Sequence, residues 1–256
     1  MILIFSLIGL LLLSCFLVWI KRDRKYHSVK SVALAYDKWT NDKLLESLWG
    51  EHVHLGYYGK PPQRCDFRKA KVDFVHALVH WSGLDRLPKG SRILDVGCGM
   101  GGLSNILLEK GFQVESLTPD NNQKNYITSK YKQLKVHHMK FEDFKSESKF
   151  NTVINSESLQ YIDLDKAFDL VPEILSKNGK WIVVDYFRIN DGGVNKSGHL
   201  HEDFLNRTKQ KGWKIVYEQD ITKNALPTLR FAMVFINRFI KPLVSFAAMA
   251  LGTSFN

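Results

Sequence analysis

Ile93-Leu94-Asp95-Val96-Gly97-Cys98-Gly99-Met100-Gly101-Gly102 decides how this chain is read. A strand-like run passes into glycines and then into a helix-like run, and glycine lets a backbone turn tightly and approach a ligand closely. Gly97, Gly99 and Gly102 satisfy the GxGxxG spacing, which admits a dinucleotide fingerprint. Two details favour S-adenosylmethionine. Asp95 stands two residues before the first glycine, where a carboxylate meets the cationic amino-acid end of that donor. A loop with Gly97, Gly99 and Gly101 also suits a ligand that has no pyrophosphate to hold. A purely structural turn is the third reading of the same residues.

Around this loop, strand-like and helix-like runs alternate, which argues for a parallel sheet covered by helices. Strands are expected at Arg92–Asp95, Gln113–Leu117, Val136–Phe141, Thr152–Asn155, Lys180–Tyr186 and Trp213–Glu218. Helices fill the gaps at Gly102–Lys110, Asn121–Lys132, Asp163–Leu175 and His199–Lys211, with another upstream at Asp66–Trp81. The order is that of an α/β, doubly wound, mostly parallel domain, here placed at residues 66–227. Ser156 and Glu157, after the fourth strand, fall at the switch point where a ligand of such a fold lies. His137 and His138 face opposite ways on a strand and have no third ligand at metal spacing, so no metal is expected.

The chain has 256 residues, is 45% hydrophobic and 24% charged, and carries a net charge of +10. That composition excludes a disordered polyelectrolyte and a polytopic membrane protein. Its three cysteines, Cys15, Cys65 and Cys98, show no CxxC spacing, which argues against a disulfide scaffold and a Cys-rich zinc site. Residues 1–20 contain no charged side chain, and a helix of that length spans a hydrocarbon core of about 30 Å. Lys21, Arg22, Arg24 and Lys25 follow, so the expectation is a single-pass N-terminal anchor with the catalytic domain on the cytoplasmic side. A cleaved signal peptide fits less well, because no base opens the run and Val18-Trp19-Ile20 closes it. Cys15 as a lipoprotein site fits less well still, because apolar residues continue beyond it.

Residues 21–65 then read as a basic flank and substrate-capping segment. Residues 228–256 are mostly apolar with three bases and no acid, which reads as an amphipathic lid or membrane-contact helix that Pro242 interrupts, or equally as a helix packed on the domain core. Of the +10, residues 1–30 hold +4 and residues 228–256 hold +3. Charge that flanks apolar segments fits an anionic cytoplasmic leaflet better than a nucleic-acid groove.

The loop LDVGCGMGG resembles the first motif of class I S-adenosylmethionine-dependent methyltransferases. Upstream, Ser31-Val32-Ala33-Leu34-Ala35-Tyr36-Asp37-Lys38-Trp39 and Trp49-Gly50-Glu51-His52-Val53-His54-Leu55-Gly56-Tyr57-Tyr58-Gly59 are similar to the signature of the tocopherol and plastoquinol methyltransferases. The run from Asp66 through Phe74-Val75-His76-Ala77 to Gly83-Leu84-Asp85-Arg86-Leu87-Pro88 resembles the 2-methyl-6-phytylbenzoquinol methyltransferases. The similarity is dense from about residue 31 to 120 and thin afterwards.

The resemblance implies a Rossmann-like methyltransferase using S-adenosylmethionine on a prenylated quinol or related lipid. It places Asp95, Gly97, Gly99 and Gly101 at the glycine loop, Thr118 at the ribose, Asp143 at the adenine amino group, and Ser156 in the switch-point crevice. Glu115 and Asp120 lie close enough in sequence to reach the ribose as well, with simple solvated charge as their other reading. His52, His54 and Glu157, with Glu51 nearby, are the candidate proton acceptors, since deprotonating a hydroquinol drives electron density onto the ring carbon to be methylated. Departures from the family are Ser158-Leu159-Gln160-Tyr161, where a histidine is common, Asn151 in place of an aspartate, and a short stretch at Arg188–Gly198. The family's seventh strand would follow the closing apolar region, which leaves a fragment and a differently ending fold both open. A sterol-like lipid is the alternative acceptor, and a non-catalytic membrane assembly factor the alternative class. A nucleic-acid methyltransferase is disfavoured because Asn155-Ser156-Glu157-Ser158 lacks the Pro-Pro-aromatic motif used on flipped bases.

Overall fold

The computed structural model describes residues 51–52, 54–60, 62, 66–192, 198–235, 237–238 and 241–242. The expected span at residues 1–20 and its basic flank lie outside them. Among the described residues no helix is long and apolar enough to cross a membrane.

Helix α1 (Phe67–Ser82) opens on Asp66, whose carboxylate accepts from the Arg68 N–H at 2.9 Å, and closes on Gly83 in the left-handed conformation. Then come β1 (Arg92–Val96), α2 (Gly102–Glu109), β2 (Gln113–Thr118), α3 (Asn121–Lys130), β3 (Lys135–His138) and β4 (Phe150–Ser156). After these follow α4 (Leu164–Ile174), β5 (Leu175–Val184), α5 (His201–Gln210) and α6 (Thr222–Phe235). All pairings are parallel, in the order β3-β2-β1-β4-β5, so β1 and β4 are neighbours whose crossovers leave in opposite directions. The crevice beyond their carboxyl ends is the switch point of the sheet.

The sheet is covered on both faces, which is why its central strands are buried along most of their length. One side holds Phe141, Phe144, Phe150, Phe168, Val171 and Ile174; the other packs Phe74, Val75, Leu78, Leu84, Leu107 and Ile127. Burying each such side chain contributes about 1.5–3 kcal/mol before the entropy cost of ordering it. Glu115 is not solvated charge: it is 9% exposed and meets Arg92 at 2.5 Å, Lys135 at 3.0 Å and His137 at 2.7 Å, tying β1, β2 and β3 together. Burial alone would raise its carboxyl, but His137, Lys135 and Arg92 outweigh that and hold it at about 2. Asn151 is also structural, its side-chain oxygen accepting from the Arg92 N–H at 2.8 Å.

Two expectations need correction. Residues 213–220 form no strand, and Ile215, Val216 and Tyr217 are exposed. A strand exists only through a hydrogen-bonding neighbour, and among the described residues β5 has no partner on its outer edge. The fifth strand, expected from Lys180, begins at Leu175 and holds residues 178–179 in an irregularity where Phe150 pairs with Leu175 and Thr152 with Lys180. The expected boundary at 227 falls inside α6, whose Asn224, Ala225 and Thr228 are buried while Leu229, Arg230, Met233 and Val234 are exposed.

Candidate functional site

One cavity opens at the carboxyl ends of β1, β2 and β4, and it has a glycine-loop end and an end lined by Glu51, His52 and His54. At the first, Gly97 has φ +71, and a Cβ there would lie 2.4 Å from that of Ser158. Only glycine serves both the left-handed backbone and this approach. Ser158 is fixed in turn, its hydroxyl donating to the Val96 carbonyl at 2.6 Å and accepting from Asn155 at 3.0 Å. Gly99 also lines the cavity, whereas Gly101 does not; at φ +84 it turns the chain into α2.

Asp95 sits beneath the loop, 1% exposed, accepting from the Ser104 hydroxyl at 2.6 Å, and Ser104 accepts from Ser116 at 2.7 Å. Burial pushes its carboxyl up to about 6 against the opposing pull of Ser104. A cation placed over it would favour the ionised form. Cys98, also on the wall, is a packed small side chain, its thiol raised by burial and by Asp95.

At the end of β2, the Thr118 hydroxyl donates to Gln123 Oε1 at 2.6 Å and accepts from the Asp120 N–H at 3.1 Å. Its single proton is committed, which leaves one lone pair to accept from a ribose hydroxyl beside its wall neighbours Asp120 and Gln123. Asp120 is 2% exposed, not a solvated charge, and caps α3 by accepting from the Gln123 N–H at 2.9 Å. Beyond it, Asp143 is exposed and off the wall, while its neighbour Glu142 lines the cavity with a buried Oε2 that has no hydrogen-bond partner. Ser156 lines the cavity too, with its buried hydroxyl likewise unpartnered. A carboxylate for a cation, loop glycines for close approach and orphaned acceptors near the expected adenine fit S-adenosylmethionine.

The second end is bounded by a strap, residues 51–52 and 54–60, of which Glu51, His52 and His54 line the cavity. Glu51 accepts from Lys130, the last residue of α3, and from the hydroxyl of Tyr131, which follows it. Burial would raise Glu51, but these two bonds hold its carboxyl low. His52 packs so closely on the loop that a Cβ on Gly102 would lie 2.6 Å from its Cε1. His52 and His54 both line the cavity, their ring centroids 5.2 Å apart, and His54 lies 4.6 Å from the Phe74 ring. His54 Nδ1 is 2.8 Å from the Leu55 carbonyl, which can only accept, so Nδ1 carries the hydrogen. Its buried Nε2 keeps a lone pair and has no partner, and burial drops the imidazole to about 3.

Beyond His54 the strap is pinned to the body. The Leu55 N–H donates to Glu157 Oε1 at 2.9 Å, Gly56 N–H to Thr228 Oγ1 at 3.0 Å, Tyr57 N–H to the Ala70 carbonyl at 2.8 Å, and Tyr58 N–H to the Asn224 carbonyl at 3.1 Å. Glu157 itself holds φ +54, an uncommon conformation for a non-glycine residue and one that clusters at functional sites. Burial raises it to about 7, with Asp185 adding and Leu55 and Lys71 opposing. Gln160 and Tyr161, at the departure from the family's histidine, complete this wall.

Sequence reasoning passed over Lys71, Gln123, Glu142 and Asp185. Lys71 had a signal, because it shares the α1 stripe of Phe74, Val75 and Leu78 at helical spacing. His137 and His138 turn to different partners, Glu115 and the Pro119 carbonyl.

A family profile described as "Methyltransferase domain" matches residues 64–219, more than half of the chain. The chain belongs to the methyltransferase-domain family. Among curated proteins it is 56% identical over 96 residues to a 2-methyl-6-phytyl-1,4-hydroquinone methyltransferase from Synechocystis, a stretch that covers 37% of this chain and 30% of that relative. The match thus spans under a third of the relative's length. Among solved structures, the cyclase SpnF superposes with a TM-score of 0.68 at 18% identity, covering 86% of this chain and 88% of its own. A geranyl diphosphate methyltransferase in complex with GPP and sinefungin gives 0.67 at 17% identity, with 80% and 88% covered. At such identities the likeness is one of fold, that of the class I S-adenosylmethionine-dependent methyltransferases, and a fold hosts more than one chemistry.

Proposed function

We propose that this methyltransferase-domain protein transfers a methyl group from S-adenosylmethionine to a prenylated hydroquinone or a related lipid at a membrane surface. One observation carries the reading: a single cavity joins a buried carboxylate under a glycine loop to a wall of proton acceptors, His52, His54 and Glu157. The 56% identity with a hydroquinone methyltransferase supports the choice of acceptor.

The donor, when bound, supplies an electrophilic methyl carbon on a sulfonium. Asp95 would hold its ammonium, Glu142 and Ser156 would offer acceptors to its purine end, and Thr118, Asp120 and Gln123 would meet its ribose. His52, lying on the glycine loop, and the rest of the strap exclude water from the reacting centre. His54 Nε2 accepts a hydrogen bond from an acceptor hydroxyl and fixes its orientation, the main requirement of an in-line displacement. Glu157, raised to about 7, is matched to taking a phenolic proton near neutral pH.

The membrane part of the reading draws on the uncharged run at residues 1–20 and on α6. Leu229, Met233 and Val234 are exposed beside Arg230, with exposed Arg238 and Lys241 following. Apolar side chains ringed by bases suit the interface of an anionic leaflet. The test is incubation of the full chain with isotopically labelled methyl donor, total membrane lipid and a synthetic prenylated hydroquinone. Label in the hydroquinone supports the proposal; label confined to a sterol or to a water-soluble acceptor sinks this assignment of substrate.

A further inference from the structure

Among the described residues, Glu157 is the one non-glycine residue with a left-handed backbone. Such a conformation persists only where its surroundings over-determine it, and here the contacts that do so come from the end of β5. The Glu157 N–H donates to the Val184 carbonyl at 2.7 Å, and the Gln160 N–H donates to Asp185 Oδ2 at 3.1 Å. Val184 closes β5 and Asp185 follows it, so two consecutive residues grip both ends of the turn 157–160. The Gln160 side chain returns the grip, its Nε2 donating to the Glu157 carbonyl at 3.4 Å.

Asp185 uses its two oxygens in two directions. Oδ2 accepts from the turn after β4, and Oδ1 accepts from the Tyr186 N–H at 2.7 Å. Both partners are donors, so both oxygens must accept; a carboxylate serves here, whereas an amide would turn an NH₂ against one of the N–H groups. Burial raises the Asp185 carboxyl to about 6, and the N–H groups of Tyr186, Gln160, Leu159 and Ser158 pull it down. Glu157, Ser158, Gln160, Tyr161 and Ile162 all line the cavity, and Asp185 is not on its wall. What the turn delivers there is the Glu157 carboxyl, whose Oε1 accepts from the Leu55 N–H at 2.9 Å. The next two strap amides hang on other partners, Gly56 on Thr228 and Tyr57 on Ala70.

We propose that Asp185 is a positioning residue for Glu157: by tying the turn after β4 to the end of β5, its carboxylate holds the Glu157 carboxyl on the acceptor wall, against the Leu55 N–H. The inference deepens the functional reading above and rests on it for the catalytic use of Glu157, but the placement of that carboxyl is measurable with no acceptor present.

Amide hydrogen exchange followed by NMR in the full chain, without donor or acceptor, reads that placement. In Asp185→Asn the Gln160 and Leu55 amides are expected to exchange about tenfold to a hundredfold faster than in wild type, as loss of a charge-assisted hydrogen bond requires. The Gly56 and Tyr57 amides keep their wild-type rates, and Glu157→Ala supplies the reference for a Leu55 amide with no carboxyl to meet it. In turnover, kcat of Asp185→Asn falls by about a hundredfold, the effect of a misplacement of about 1 Å. The dissociation constant of the methyl donor stays unchanged, and added to Glu157→Gln the substitution lowers kcat no further. Asp185 also opposes ionisation of Glu157 through its charge, so turnover is compared on the alkaline plateau of the pH profile, where Glu157 is ionised in both proteins. If Asp185→Asn does not fold, Asp185→Ser is measured in its place. A loss of turnover that vanishes on that plateau, or a Leu55 amide that exchanges at the wild-type rate, overturns the proposal. Equal acceleration at Leu55, Gly56 and Tyr57 overturns it too, being what a merely structural aspartate would give. A wild type that methylates no hydroquinone overturns the substrate reading instead, and amide exchange then decides for Asp185 alone.

Discussion

At the glycine-loop end of the cavity, Asp95, Ser104 and Ser116 satisfy one another, and Thr118, Gln123 and Asp120 do the same at the end of β2. At the strap end, His52 Nδ1 and His54 Nε2 have no partner and burial raises the Glu157 carboxyl to about 7, while toward the expected purine Glu142 Oε2 and the Ser156 hydroxyl also stay unpartnered. Satisfied networks hold a shape that a ligand meets ready-made; unsatisfied buried polar groups cost stability and are kept where a ligand or a proton completes them. On the proposed function, one end holds the donor and the other meets the acceptor.

Substitution at Gly97 breaks the first half most severely. In Gly97→Ala the new methyl meets Ser158 and the left-handed backbone is strained. Overpacking costs about 1–3 kcal/mol and the strain about 1–3 kcal/mol. Calorimetry should show donor binding weakened by more than about 30-fold, the equivalent of roughly 2 kcal/mol. Methyl transfer should fall with it.

Glu157→Gln is the opposite break. The amide cannot take the proton, so kcat is expected to fall by about 10²–10⁴-fold. The donor dissociation constant should not change. Parallel loss of binding and turnover would show that the two ends are not separable.

Asp95→Asn removes the charge under the loop and is expected to weaken donor binding by about tenfold to a hundredfold, the value of a hydrogen bond to a charged group. The pH dependence sharpens this. Because burial raises Asp95 to about 6, ionising it works against the folded state without a cation, and stability contributed by the protonated form is lost as pH rises from the ordinary carboxylate range through 6. A bound cation reverses the preference. Donor affinity should therefore fall about tenfold per pH unit below 6 and level off above it, and Asp95→Asn should abolish that slope.

The smallest effect is expected at the hinge between the strap and α6. Thr228→Val leaves the buried Gly56 N–H without its acceptor, a cost of about 1–3 kcal/mol that thermal unfolding would register. Donor affinity should change little if the strap closes chiefly over the acceptor.

The contrast also explains what the sequence could tell. The glycine loop was legible because its chemistry is local: ten consecutive residues hold the strand, the turn, the carboxylate and the helix start. The parallel order followed from alternating periodicities for the same reason. The strap end joins residues near 55, 71, 157 and 228, which no local pattern links. Between Glu142 and Asp143 the outcome depends on a single turn of 3₁₀ helix at Phe141–Asp143, in which adjacent residues point about 120° apart, and composition does not choose between them. Trp213–Glu218 has strand propensity, but a strand is made by its neighbour, and propensity yields where no edge is offered.

A crystal structure of the full chain with S-adenosylhomocysteine and a prenylated hydroquinone tests the division of the cavity most directly. The account predicts the amino-acid end of the nucleoside product over Asp95, its purine beside Glu142, and the hydroquinone ring between the sulfur and the wall of His54 and Glu157. A ring bound away from that wall, or a nucleoside placed under the strap with the glycine loop empty, would contradict it.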